Sequence, residues 1–335
     1  MMTELAKYKT NIINNLTTTY KNNSAVTKNK YNILINNVLN NMTTTSQIKS
    51  QQINILVKQG NSVLAQLLSV LNDNISKVNK FTPPIIQINK NRKALLIGIN
   101  YTGSNFQLEG CINDIENMTT KLSSAYSFSS ITKMTDTTTV KPTKDNILNG
   151  LKSLLVNSQK GDLLYFHYSG HGGYVKDTNG DELDGNDELI YPIDMVTITD
   201  DELKQIIMSY LKEDVTLFAF FDSCFSGSVL DLKYQYLDSL NYNNYTENIK
   251  NLETLGHVFM ISGCTDKQTS ADAYINNTSQ GATTWSFLSS LNSNPKCSWR
   301  ELLQNMRLIL KSSTYTQIPQ LSTGKIEDID KKVFL

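Results

Sequence analysis

Two kinds of apolar spacing divide the chain. Over residues 1–80, Tyr31, Leu34, Val38, Leu39 and Met42, and again Ile53, Leu56, Val57, Val63, Leu64, Leu67, Leu68 and Leu71, recur every three or four positions against Asn, Thr, Ser and Lys. That is the period of one helix face, and it predicts a small helical hairpin or bundle. Phe81-Thr-Pro-Pro84 then breaks helix, because proline lacks the amide hydrogen and fixes φ, and Lys90, Arg92 and Lys93 follow. The stretch reads as an exposed linker with a boundary near 81–92, giving an N-terminal region of 1–85 and a larger domain of 86–335.

Beyond the linker the pattern shortens to compact apolar runs, Ala94–Ile99, Leu163–Tyr168, Thr216–Phe221 and Val258–Ile261. Continuous runs of this length predict strands buried on both faces, as in a largely parallel sheet. Between them lie helical candidates, Asp114–Leu122, Lys144–Val156, Asp200–Leu211 and Ser298–Leu310; the last two open on Thr199-x-x-Glu202 and Ser298-x-x-Glu301, the capping-box pattern. Strand and helix alternate, so the class is α/β with helices on both faces of the sheet. In such folds ligands bind beyond the carboxyl ends of the strands.

Composition narrows the class. With 335 residues, 39% hydrophobic and 19% charged, the chain can bury a sizeable core, and no apolar run approaches the roughly 20 residues that span a bilayer. The N-terminus carries Glu4 and no apolar stretch, so no signal peptide is expected and the location expected is cytoplasmic. Cys111, Cys224, Cys264 and Cys297 are widely spaced and suggest free thiols rather than a disulfide framework or a zinc site. Asn-x-Ser/Thr triplets follow from an Asn- and Thr-rich composition and carry no weight in a reducing compartment. A net charge of zero hides an asymmetry: residues 1–80 hold nine Lys against Glu4 and Asp73, a net +7, leaving −7 for the rest. The lysines are dispersed as on a solvated face, so neither nucleic-acid nor membrane binding is expected.

Candidate chemistry stands at two strand ends. Leu163–Gly173 ends in a histidine, His171, held between glycines, and Thr216–Gly227 carries Cys224 in a Gly/Ser turn. A cysteine becomes a nucleophile when a nearby imidazole takes its proton, and the imidazole can return that proton to a leaving amine. Neighbouring strand tips would bring the two together despite a separation of 53 positions. Backbone N–H groups in such turns, those of Gly172 and Cys224, suit an oxyanion. A free cysteine is otherwise most often a small buried hydrophobe and a lone histidine structural; the paired setting in turns after apolar strands favours the catalytic reading. His167, inside its strand, reads as core, and His257 has no such turn.

These residues resemble the metacaspases: Ser169-Gly-His171-Gly with Asp222-Ser-Cys224-x-Ser-Gly-Ser-Val-Leu-Asp-Leu232, then Ile97-Gly-Ile-Asn-Tyr101, Leu108-x-Gly-Cys111-x-Asn-Asp114, Asp187–Asp194, Ile261–Ala273 and Gly281-Ala-x-Thr-Trp285 in family order. The resemblance covers about residues 92–335 and implies a caspase-like α/β sandwich, a type I-like architecture, and a calcium-stimulated cysteine endopeptidase that cuts after Arg or Lys. It maps pocket acids to Asp114 and Asp222, with Cys111 and Ser169 beside them, and calcium ligands to Asp187, Asp200, Asp201 and Asp231. Asp114 also reads as an ordinary acid at a helix start, and Asp200 and Asp201 as first-turn acids behind the Thr199 cap. Phe225 stands where the family often has His, and Gly173-Tyr174 where Ser-Gln is common. The acidic stretch Asp177–Glu188 has Asp177, Asn179, Asp181 and Glu188 at calcium-loop spacing, but Glu182 replaces the glycine its sixth position needs; it reads as a solvated loop.

Calcium is expected to act as a conformational switch rather than a Lewis acid. Leu232–Gly256 reads as an exposed loop whose Lys233 and Lys250 are candidate self-cleavage sites, together with the linker cations. The expected partners are protein or peptide substrates with Arg or Lys before the scissile bond, and the resemblance implies a monomer. The competing function is a non-catalytic scaffold or aggregate-binding protein acting through residues 1–80. An Asp-cleaving enzyme would need a basic pocket that the sequence does not offer.

Overall fold

The computed structural model describes residues 2–41, 45–80, 91–177, 185–224, 226–236, 245–263, 272–275 and 278–334. The chain divides into two compact units, 1–86 and 87–335. Among the described residues no helix is long and apolar enough to cross a membrane.

The first unit is a helical hairpin of α1 (Met2–Leu39) and α2 (Ser46–Lys80). Lys9 Nζ donates to Asn79 O at 2.8 Å, so the start of α1 lies beside the end of α2. Gly60 faces the ring of Tyr31 so closely that a Cβ there would sit 3.1 Å from Tyr31 Cγ. Threonine is a poor helix interior residue in part because its hydroxyl competes for backbone partners; here Thr10, Thr17, Thr18, Thr19 and Thr27 donate to the carbonyl four residues earlier, which satisfies the hydroxyl without breaking the helix.

The second unit contains, in order, β1 (Arg92–Gly98), α3 (Cys111–Tyr126), β2 (Ser130–Thr135), α4 (Lys144–Val156), β3 (Leu163–Ser169), β4 (Gly172–Lys176), β5 (Asn186–Ile190), β6 (Ile198–Thr199), α5 (Asp200–Tyr210), β7 (Thr216–Asp222), β8 (Tyr234–Tyr236), β9 (Thr246–Glu247), β10 (His257–Ser262), β11 (Asp272–Ile275), β12 (Thr278–Gly281), α6 (Ala282–Ser293), α7 (Trp299–Ser312) and β13 (Gln320–Thr323). The main sheet runs β2-β1-β3-β7-β10-β13-β8-β9. Its first five strands are parallel, and β13, β8 and β9 pair antiparallel. A small antiparallel sheet, β4-β5-β6, and a β11-β12 pair stand apart.

The compact apolar runs of the sequence are the inner strands, and their alternation feeds two cores. Leu96, Tyr165, Phe218, Phe220 and Ile261 face α3, α6 and α7. Leu95, Ile97, Phe166, Leu217, Ala219, Phe221 and Met260 face α4 and α5. Both capping boxes form: Thr199 with Glu202 before α5 and Ser298 with Glu301 before α7. His167 is fully buried between the rings of Tyr165 and Phe220, and desolvation holds its imidazole down at about 3, so it is neutral core.

One expectation is corrected here. Leu232–Gly256 is not a single exposed loop: it supplies β8 and β9, which extend the main sheet beyond β13, and it buries Tyr234, Tyr236, Asn251 and Thr254. Tyr-Gln-Tyr alternates in the strand sense, but three residues among polar neighbours give too short a pattern to read. Lys233 is drawn in as well. Its side chain is 19% exposed and lies 3.4 Å from the Glu247 carboxylate, whereas Lys250 is exposed.

Candidate active site and acidic cluster

The register of β3 against β7 builds the site. Ser169 pairs with Asp222, and because successive residues alternate faces, both side chains fall on the face that buries Tyr165, Phe218 and Phe220. Two residues further along each strand come His171 and Cys224. Equal offsets on paired neighbours deliver both at the carboxyl rim, the expected ligand position in a parallel sheet. A pocket of about 150 Å³ is lined by His171 and Cys224 together with Leu108, Cys111, Asp114, Ser169, Asp222 and Gly281. The structure thus brings the thiol, the imidazole and all four sequence-assigned substrate-pocket residues to one cavity.

The imidazole orientation follows from one contact. His171 Nε2 is 2.7 Å from Phe106 O, and a carbonyl only accepts, so Nε2 donates; in the neutral imidazole Nδ1 is then the nitrogen with the free lone pair. The loop that supplies this carbonyl has no strand or helix period and carries no local signal of the contact. Gly172, in β4, stands against the Cys224 backbone: a Cβ there would lie 2.2 Å from Cys224 O. Tyr191 N donates to His171 O, so Gly172, the next residue of the antiparallel ladder, points its N–H away from β5.

Two carboxylates close the pocket floor. Asp114, on the first turn of α3, is fully buried and accepts from Ser169 Oγ at 2.7 Å and Gly281 N at 2.9 Å. Asp222 is 5% exposed, and its Oδ2 accepts from Thr284 N at 2.8 Å and Thr284 Oγ1 at 2.9 Å. Gly281 seats these acids. A Cβ there would lie 2.1 Å from Asp222 Oδ2 and 2.7 Å from Asp114 Oδ2, a separation no side chain tolerates. Gly281 and Thr284 come from a segment about 60 residues past Cys224, and no local pattern flagged their role.

A second acidic group joins the first turn of α5, which carries Asp200 and Asp201, to Asp231 on the segment that follows Cys224. Oxygens of Asp200, Asp201 and Asp231 all fall within 4.8 Å of one another. Asp200 Oδ2 accepts from Glu188 N and Oδ1 from Asp201 N, each at 2.7 Å. Burial first, and then the Asp231 carboxylate, push the Asp200 carboxyl up to about 8; Asp187 adds a smaller push in the same sense. Lys204 approaches Asp231 Oδ2 at 3.5 Å and donates to Asn251 Oδ1 at 2.7 Å. Among the described residues Asp231 Oδ1 is buried with no hydrogen-bond partner, and such an acceptor is costly unless something fills its place. Hard carboxylate oxygens converging on one point, one of them orphaned, fit a calcium ion. Three of the four sequence-assigned ligands converge; Asp187 is buried nearby but outside that trio. Of the Asp177–Glu188 stretch, 178–184 lie outside the described residues, as do Phe225 and Cys264; its end is not a solvated loop, because Asp187 and Glu188 are buried in β5.

A parallel-centred α/β sheet carrying a Cys and a His on adjacent strand tips above buried acids defines a cysteine-peptidase class of site. Residues 92–233 match the family described as metacaspase, peptidase C14 domain. Metacaspase-1 of Kluyveromyces lactis is 40% identical over an alignment of 297 positions that covers 73% of this chain and 68% of that protein. Metacaspase-1A of Neurospora crassa is 39% identical over 291 residues, 71% of this chain; the match spans 64% of that relative's own length, just under two thirds. A crystal structure of a protein from Geobacter sulfurreducens superposes with a TM-score of 0.55 at 26% identity, covering 73% of this chain and 98% of the other. The chain belongs to the metacaspase family of C14 cysteine peptidases, and its second unit has the caspase-like α/β fold.

Proposed function

We propose that the protein is a calcium-dependent cysteine endopeptidase that cuts after Arg or Lys and processes itself. The observation that carries this reading is the single pocket that joins His171 and Cys224 to the buried carboxylates of Asp114 and Asp222. A guanidinium or ammonium entering a closed cavity needs carboxylate partners, or its charge stays uncompensated; an Asp-selective pocket would need the opposite sign. Cys224 Sγ attacks the carbonyl carbon before the scissile bond while His171 Nδ1 takes the thiol proton. The tetrahedral oxyanion is held by the N–H groups of Gly172 and Cys224. Collapse breaks the C–N bond, and His171 returns the proton to the leaving amine. Water then hydrolyses the thioester with His171 as base.

Asp200, Asp201 and Asp231 are the residues that would hold calcium. Bound there, the ion supplies divalent charge that compensates clustered carboxylates. Asp231 follows Cys224 by seven positions on one segment, and α5 supplies the other two acids. Pinning Asp231 to α5 would restrain the segment that follows the thiol, in keeping with a switch rather than a Lewis acid.

Turnover of Arg-, Lys- and Asp-terminated peptides, measured with calcium and with chelator, tests the reading. Arg and Lys peptides turn over with calcium, the rate falls by about tenfold or more under chelation and returns on re-addition, and Asp231→Asn raises the calcium needed for half activation. Preferred cleavage after Asp, or indifference to chelator in the wild type, overturns the corresponding part. For self-processing, exposure selects Lys250 over Lys233, whose side chain is tucked against Glu247. Calcium addition followed by mass spectrometry is expected to show cleavage after Lys250 that is absent in Cys224→Ala. An intact chain in a sample that still cleaves peptide removes self-processing.

A further inference from the structure

We infer that Tyr101 and Tyr168 are positioning residues for His171: their paired hydroxyls clamp the His171 peptide at the tip of β3, and the Tyr101 ring backs the imidazole. The inference rests on the peptidase reading above and adds to it the device that keeps the base in place.

The His171 peptide is held on both sides. Its N–H donates to Tyr101 Oη at 3.0 Å. Its carbonyl accepts from Tyr168 Oη at 2.8 Å and from Tyr191 N at 3.1 Å. Tyr101 Oη donates to Tyr191 O at 2.5 Å, and the two hydroxyls stand 3.1 Å apart. Tyr101 spends its hydrogen on Tyr191 O and accepts from His171 N–H, while the Tyr168 hydroxyl, 2.8 Å from His171 O and 3.0 Å from Tyr191 O, donates over the shorter distance to His171 O. Burial raises both phenols far above their ordinary range, so both hydrogens stay in place. The Tyr101 ring lies 4.7 Å from the imidazole, centroid to centroid, at 36°, where an aromatic face favours a cation such as the imidazolium formed once the thiol is deprotonated.

Two backbone features are tuned to this clamp. Tyr101 is 3% exposed and holds φ at +51°, left-handed backbone that bulky residues rarely adopt; strain of that kind persists where the surroundings impose it, often at working sites. Gly170 leaves room for both hydroxyls, since a Cβ there would lie 2.7 Å from Tyr168 Oη and 2.9 Å from Tyr101 Oη. Neither tyrosine lines the pocket among its described residues, so each acts through His171.

The test compares wild type, Tyr101→Phe, Tyr168→Phe and Tyr165→Phe for kcat, KM, melting temperature and the pH dependence of iodoacetamide alkylation at Cys224, located by mass spectrometry. Tyr101→Phe keeps the ring and loses the hydroxyl, and kcat is expected to fall about 10- to 100-fold with KM within about twofold. The alkylation midpoint is expected to move up by about half a pH unit or more, because a displaced imidazole stabilises the thiolate less. Tyr165→Phe removes an equally buried hydroxyl from the same strand, one that meets His167 at 3.1 Å, and is expected to keep wild-type kcat. Wild-type kcat and alkylation in Tyr101→Phe and Tyr168→Phe, or an equal loss in Tyr165→Phe, overturns the inference. Should Tyr101→Phe fail to fold, Tyr168→Phe carries the same comparison. A wild type that cleaves no peptide overturns the peptidase reading instead, and the alkylation profile, read without substrate, still decides the positioning.

Discussion

Cys224→Ala is expected to lower kcat/KM for an Arg-terminated peptide by on the order of 10⁵-fold, because the thiol that forms the covalent bond is gone and the imidazole alone offers only a general base to water. The substitution removes one sulfur from a half-buried turn and leaves β7 untouched, so the melting temperature should stay within a few degrees of the wild type. His171→Ala should fall nearly as far, and the double variant no further than Cys224→Ala, since residues that act as one unit lose their effect together. Steady-state turnover by protein purified from a protease-free background checks this. Substantial cleavage by Cys224→Ala would falsify the covalent mechanism. If a cellular phenotype survives in that variant, the biological role resides in the scaffold rather than the chemistry.

Asp222→Asn carries the second large effect. Asn keeps the size and, through its carbonyl oxygen, the acceptor that meets Thr284 N and Thr284 Oγ1, so the fold around α6 is retained while one negative charge is lost. Leaving a buried cation short of a partner costs about 2–5 kcal/mol, roughly 30- to 5,000-fold in kcat/KM for Arg peptides. Citrulline, which has the shape of Arg without the charge, should be a poor substrate for the wild type and lose little further in the variant. A variant that cuts Arg peptides at the wild-type rate refutes charge recognition at this position, whatever becomes of the nucleophile.

Local patterns made much of the frame readable. Buried strands write themselves as unbroken apolar runs, so β1, β3, β7 and β10 could be placed to within two residues, and the Lys144–Val156 stretch marks α4 by period alone. The two capping boxes are four-residue signals and formed as written. Edge elements escaped, because β2 alternates over six residues with its first half largely solvated, and β9 has two residues. In the site, His171 and Cys224 announce themselves through glycine-flanked turns after strands, chemistry and geometry coinciding in sequence. Gly281, Thr284 and the Phe106 carbonyl do not. Their parts depend on distance across the fold, and a glycine or a backbone oxygen has no side-chain signature of its purpose.

The register of Ser169 against Asp222 reaches beyond catalysis. Strands β3 and β7 are neighbours in mid-sheet, each bordered on both sides and roofed by helices on both faces, so sliding one past the other would dismantle two cores at once. Nucleophile and base therefore travel as a fixed pair.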